Sequence, residues 1–149
     1  MKTVAALLAA VAIAALTLLP STPALATGHR IQINEIYYNS PGTDTGSNSS
    51  LNAEWVRITN HASTSRSLGG WKLKDAQNHV FTFPSGFRLA AGASVKVHSG
   101  KGTNSGGHRY WGQAWYVWNN SGDKATLRSN TGAILASCSW GSTGSYKYC

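Results

Sequence analysis

The carboxylates limit the chemistry open to this chain. The 149-residue sequence holds five Asp and Glu against thirteen Lys and Arg. Glu35 and Glu54 lie in two early strand-like stretches, and Glu54 is in step with Val56 and Ile58. Facing each other across a sheet, the two acids could form the acid and base pair of a small secreted hydrolase. The chain has few clusters of aromatic and acidic residues, which favours the alternative that both acids are structural.

Other catalytic and metal-binding motifs lack the spacing they need. The histidines are His29, His61, His79, His98 and His108. No two are spaced like zinc ligands, so we expect scattered, solvated histidines and no metal. Gly100-Lys101-Gly102 is no phosphate loop, because Val95 replaces the required glycine and Gly102 the required Ser or Thr. No serine forms a nucleophile elbow between a strand and a helix. We predict no catalytic residue and no cofactor.

The first 26 residues have the pattern of a secretory signal peptide. Lys2 precedes an apolar run over 4–19, and Ala-Leu-Ala at 24–26 is a small-residue cleavage signal. The apolar run is short for a membrane span. We expect cleavage after Ala26, a secreted mature domain over 27–149, and no stable membrane insertion of that domain.

The two cysteines, Cys138 and Cys149, lie near the end of the chain. An exported protein with two cysteines most simply joins them, so we predict one disulfide. It would fix a tail rich in Gly, Ser and Tyr that has little apolar content.

The net charge points to anionic partners. Without Lys2, twelve basic residues face five acidic ones, a net charge of +7. Such a balance favours weak, salt-dependent contact with DNA or an anionic cell-wall polymer. Charge that serves solubility alone is an equal alternative.

The elements that must position these residues are strands. Apolar and polar residues alternate with period two in eight segments, and no window of the mature chain has convincing helical spacing. The segments are 31–36, 55–59, 71–74, 80–83, 94–98, 116–118, 124–128 and 134–139. Many short strands between turn signals predict an all-β sandwich or barrel. Two long polar loops, 39–52 and 99–107, are either flexible connections or binding loops.

Alternation also predicts which basic residues face outward. Six lie opposite the apolar positions of their strands and are the candidates for binding a polyanion: Arg57, Lys72, Lys74, Lys96, Lys124 and Arg128. Trp55 shares the parity of Arg57, and three more tryptophans crowd residues 111–118. Exposed tryptophans among basic residues would suit stacking of nucleic acid or glycan, whereas buried ones would pack in the sandwich.

Five stretches in order resemble one family. They are INEIYYN (33–39), LNAEWVRITN (51–60), LGGWKLKD (68–75), FTFP with LAAGASVKVHSGKGTN (81–104) and WNNSGDKATLR (118–128). Together they are similar to the lamin tail domain, with its bacterial secreted branch as the nearest match. The resemblance implies an immunoglobulin-like β-sandwich of about eight strands and no enzymatic activity.

The resemblance also assigns roles. The acids of its signature correspond to Glu35 and Glu54, which it implies are structural, with Glu54 accepting hydrogen bonds from backbone N–H groups or from a nearby Lys or Arg. Nuclear lamins use the domain to bind proteins and DNA, and bacterial members often accompany secreted nucleases or surface hydrolases. We therefore expect a secreted, non-catalytic binding or adaptor module for polyanions or surface proteins.

Overall fold

A computed structural model describes residues 30–149, so the predicted signal peptide and His29 lie outside the described residues. The described part contains eleven strands and one short helix, α1 (Asn48–Ala53). The strands are β1 (Ile31–Tyr37), β2 (Trp55–Asn60), β3 (Arg66–Ser67), β4 (Lys72–Lys74), β5 (Val80–Thr82), β6 (Arg88–Leu89), β7 (Ser94–His98), β8 (His108–Tyr110), β9 (Asp123–Arg128), β10 (Ile134–Trp140) and β11 (Tyr146–Tyr148).

The strands form two main sheets that enclose one core. A five-stranded sheet has the order β11-β1-β2-β7-β8, and a four-stranded sheet has the order β10-β9-β4-β5. Strands β3 and β6 form a small third sheet. Inward side chains of both main sheets, among them Val56, Ile58, Leu73 and Leu127, belong to a single apolar cluster. The prediction of an all-β, immunoglobulin-like sandwich is confirmed.

A bulge in β1 decides which way Glu35 points. The pairing of β1 with β2 shifts between Ile33 and Glu35, so that Ile33 lies opposite Ile58 and Glu35 opposite Arg57. The extra residue inverts the alternation. Ile36 is therefore buried with Ile33, and Glu35 lies on the outer face. Simple alternation groups Glu35 with Ile31 and Ile33, and this grouping is wrong.

Seven of the eight predicted segments contain a strand, and the segment 116–118 does not. These residues lie in a loop in which Val117 and Trp118 are buried, so burial of a loop produced the apolar pattern there. Strands β3, β6, β8 and β11, each of two or three residues, lie outside the predicted segments. Helix α1 begins inside the polar 39–52 loop and ends one residue beyond it, and the Ser47 hydroxyl caps it by accepting from the Ser50 N–H.

The predicted disulfide between Cys138 and Cys149 is present, with the Cα atoms 5.8 Å apart. Cys138 belongs to β10 of the four-stranded sheet, whereas Cys149 follows β11 of the five-stranded sheet. The bridge therefore ties the two sheets together at the end of the chain. No helix within residues 30–149 is both long and apolar enough to cross a membrane.

Candidate functional site

Glu54 lies at the junction of α1 and β2 and has no solvent exposure. Its Oε2 accepts a hydrogen bond from the Val117 N–H at 3.2 Å. Burial raises the pKa of Glu54 from 4.5 to about 8, while the Ser99 hydroxyl and the N–H groups of Val117 and Trp118 act in the opposite direction. Desolvation is the largest effect, because a charged carboxyl in an apolar interior loses its hydration. Glu54 is therefore mainly protonated at neutral pH.

The contacts of Glu54 are those of an anchor for a loop. The Val117 N–H is one of the backbone donors that the resemblance implied. No Lys or Arg lies within ion-pair distance of Glu54 in the part of the chain that the structure describes, where the ion pairs are Glu35–Arg57 and Asp75–His79. Because residues 111–118 form no strand, Glu54 supplies the acceptor for the Val117 N–H that a neighbouring strand would otherwise supply.

Glu35 has a different partner on the other side of the same sheet. Its Oε2 lies 2.8 Å from an Arg57 terminal nitrogen, across the β1–β2 pair. Arg57 points outward, opposite to Val56, whereas Glu54 is enclosed in the interior. The two acids thus face opposite sides of the five-stranded sheet and share no cleft. The geometry required for a paired-carboxylate hydrolase is not assembled by Glu35 and Glu54.

Two histidines come together although their sequence spacing gave no sign of it. His98 Nε2 lies 2.9 Å from His108 Nδ1, and His98 Nδ1 lies 2.8 Å from the Asn52 carbonyl oxygen. Burial lowers the pKa of His98. The parallel pairing of β7 with β8 creates this contact, so the expectation of scattered histidines is wrong for this pair. No group of three or more potential metal ligands occurs among residues 30–149.

The sandwich divides the six basic candidates into two sets. Arg57 and Lys96 lie on the five-stranded sheet, while Lys72, Lys74, Lys124 and Arg128 lie on the four-stranded sheet. One extended ligand lying on one face could therefore reach at most one of these sets.

On the four-stranded sheet the strand register brings the basic residues together. In the register of β4 and β9, Lys72 lies directly opposite Arg128, and Lys74 lies opposite Thr126. Lys124 lies two residues before Thr126 and therefore on the same face. We call these four residues, Lys72, Lys74, Lys124 and Arg128, the basic face. Within the described residues, none of the five acids lies on the basic face. The two acids closest to it in sequence, Asp75 and Asp123, are buried.

The other two candidates are already engaged. Arg57 is paired with Glu35, and the Lys96 ammonium lies 3.6 Å from the centroid of the Trp55 ring. Tyr37 stacks on Trp55 with centroids 5.8 Å apart. Trp55 is thus covered by Lys96 and Tyr37 and is poorly placed to stack on a nucleobase.

The remaining tryptophans of the crowded segment differ in exposure. Trp118 belongs to the core, and Trp111 packs against it. Trp115 is the exception, with 62% of its surface exposed. It lies next to a pocket whose other residues include Asp44 of the 39–52 loop. Sequence reasoning did not single out Asp44, although it is the one acid of that loop.

Two β-sheets packed around one core define an immunoglobulin-like domain. Of its two candidate catalytic acids, Glu54 is buried and Glu35 is ion-paired. Residues 24–142 match the Lamin Tail Domain family, and the chain belongs to this family of non-enzymatic domains. No curated protein matches the chain in sequence.

Proposed function

We propose that this chain is a secreted bacterial binding module that holds polyanions, such as DNA or an anionic cell-wall polymer, on its basic face. The observation that carries the proposal is the strand register that places Lys72 beside Arg128 on a face without carboxylates. The net charge of +8 for the whole chain has the sign that such a partner requires.

The arrangement suits an extended anion more than a compact one. Neighbouring strands lie about 4.8 Å apart, and residues two apart on one strand are separated by about 6.6 Å. The four cations therefore form a continuous patch along which successive anionic groups can bind. Two of them also have local contacts that limit their motion: Lys74 Nζ donates to Asn78 at 3.2 Å, and Arg128 donates to the Gly132 carbonyl at 2.8 Å.

Binding of this kind is weak and depends on salt. Each phosphate or similar group that is neutralised releases counterions, so affinity falls steeply as the salt concentration rises. We expect a dissociation constant of about 10⁻⁶ to 10⁻⁴ M at physiological salt, and little preference between sequences. A surface protein carrying a run of acidic residues would meet the same electrostatic requirement.

The test is a titration at two salt concentrations with duplex DNA and with an anionic wall polymer. The variant Lys72→Glu/Lys74→Glu/Arg128→Glu should bind more weakly and with a flatter salt dependence, the slope falling by about one unit for each ion pair with the polymer that is removed. The matched control is Arg30→Glu/Arg66→Glu/Lys101→Glu, which makes the same charge change at exposed residues outside the four-stranded sheet. Equal weakening in both variants would show that net charge acts without the basic face, and absence of binding by the parent protein at low salt would refute the proposal.

A further inference from the structure

The most exposed tryptophan of the described chain lines a pocket of about 190 Å³. The lining residues are Asp44, Trp115, Tyr116, Trp118, Asn119 and Asn120. Three of the six are aromatic and one is a carboxylate. The rings of Trp115 and Tyr116 are almost perpendicular, at 75°, with centroids 5.3 Å apart. The two side chains thus form a T-shaped, edge-to-face aromatic pair at the pocket.

Contacts within the chain hold these two aromatic side chains in place. The Tyr116 hydroxyl lies 2.6 Å from the Ser50 hydroxyl and accepts from the Gly46 N–H at 3.2 Å. Gly46 has a positive φ of 69°, and a Cβ there would collide with the Trp115 ring. The backbone of the 39–52 loop thus packs closely against both Trp115 and Tyr116, so that the pocket is preformed.

The carboxylate of the pocket is also fixed, and it has capacity to spare. Asp44 Oδ1 accepts from the Ser40 hydroxyl at 3.3 Å, and Oδ2 accepts from the Asn120 side chain at 3.2 Å. A carboxylate can accept about four hydrogen bonds. Asp44 is exposed and, unlike Glu35 and Asp75, has no ion-pair partner within residues 30–149. In a strongly basic protein, this is a local negative site.

We propose that this pocket binds a quaternary ammonium group of the choline type. Aromatic rings attract such a cation through the negative potential of their faces, and the cation gives up little hydration because it has no N–H donors. Asp44 supplies the opposite charge at the rim. A neutral sugar could stack on Trp115 and donate hydroxyl hydrogen bonds to Asp44, but only a cation gains the full attraction of a charge that has no ion-pair partner, and an anion is repelled by it. The pocket and the basic face therefore select ligands of opposite charge.

The test is to measure the binding of choline chloride by isothermal titration calorimetry and by Trp fluorescence. The comparison ligand is the neutral tert-butyl isostere of choline. Choline should bind saturably and the isostere much more weakly. Trp115→Ala and Asp44→Asn should each weaken choline binding about 3- to 10-fold, the range expected when one cation–π or charge interaction is removed. Tyr148→Ala removes another exposed ring, on β11, and should leave choline binding unchanged.

Near-ultraviolet circular dichroism of each variant checks that the fold is kept. Equal binding of choline and its isostere would overturn the proposal, as would binding of a neutral monosaccharide with no binding of choline. Sedimentation with phosphatidylcholine vesicles, with and without excess free choline, identifies the source of the headgroup. Co-sedimentation that choline abolishes assigns the site to a lipid, and choline binding without co-sedimentation assigns it to a small soluble cation. Because the basic-face variant keeps the pocket, its choline binding tests this proposal separately from polyanion binding.

Discussion

Replacing Glu54 by Gln should change how stability depends on pH. The pKa of Glu54 is raised from 4.5 to about 8, with burial as the main cause. Below pH 4.5 the carboxyl is protonated in both the folded and the unfolded chain. As the pH rises above 4.5, the unfolded chain ionises while the folded protein keeps its proton. The stability associated with this group is therefore fully present at low pH and is lost as the pH rises towards 8.

The magnitude follows from the two pKa values. Between about pH 5 and pH 8, Glu54 should remove about 3–4 kcal/mol from the free energy of unfolding, since one pKa unit corresponds to about 1.4 kcal/mol. Gln has the shape of the protonated acid, can still accept from the Val117 N–H, and does not titrate. The variant should lie within about 1 kcal/mol of the parent at pH 5 and exceed its stability at pH 8.

Urea denaturation at a series of pH values measures this difference. Other titrating groups are common to both proteins, so the quantity of interest is the stability of the variant minus that of the parent. Glu35→Gln is the control, because it removes one carboxylate from the outer ion pair with Arg57 and shows the effect of a changed net charge. If the stability difference between Glu54→Gln and the parent stays constant from pH 5 to pH 8, the conclusion that Glu54 is protonated in the folded protein is wrong. An ionised carboxylate would instead make the variant less stable throughout.

Two further predictions concern the covalent and ionic links between strands. Cys138→Ala/Cys149→Ala should lower the free energy of unfolding by about 2–3 kcal/mol, since the bridge closes a short loop, and thiol titration of the unreduced parent should find no free cysteine. A double-mutant cycle with Glu35→Ala and Arg57→Ala should give a coupling of about 0.2–1 kcal/mol that shrinks with added salt, as expected for a partly exposed pair. A larger coupling that is insensitive to salt would contradict this weak surface interaction.

Period-two alternation predicted the inward faces of the long strands because burial on one side of a sheet leaves a direct mark on the sequence. Val56, Ile58, Val95 and Val97 are all fully buried, as their spacing indicates. Alternation failed where the backbone departs from a regular strand. The bulge in β1 turned Glu35 outward, and no residue type in that stretch signals an extra residue in the ladder.

The candidate site was harder to predict because it depends on which strands are neighbours. Parity placed Lys72 and Arg128 on outward positions, but only the pairing of β4 with β9 brings them side by side. The same limitation hid the His98–His108 contact, which needs a parallel pairing of strands. The pocket around Trp115 joins two loops, and loops carry no period that could predict their contacts. Its one sequence signal is the combination of a lone acid at Asp44 with a tryptophan-rich segment.

Three of the five acids act on the same segment, residues 115–120. Glu54 accepts from the N–H of Val117, and Asp123 accepts from the N–H of Asn119 at 3.1 Å. Asp44 accepts from the side chain of Asn120. A segment without strand hydrogen bonds thus obtains its acceptors from carboxyl groups on neighbouring parts of the chain. It follows that the acids of this basic protein chiefly stabilise loops through hydrogen bonds. Of these three acids, Asp44 is the exposed one and is therefore the one that can also bind a ligand.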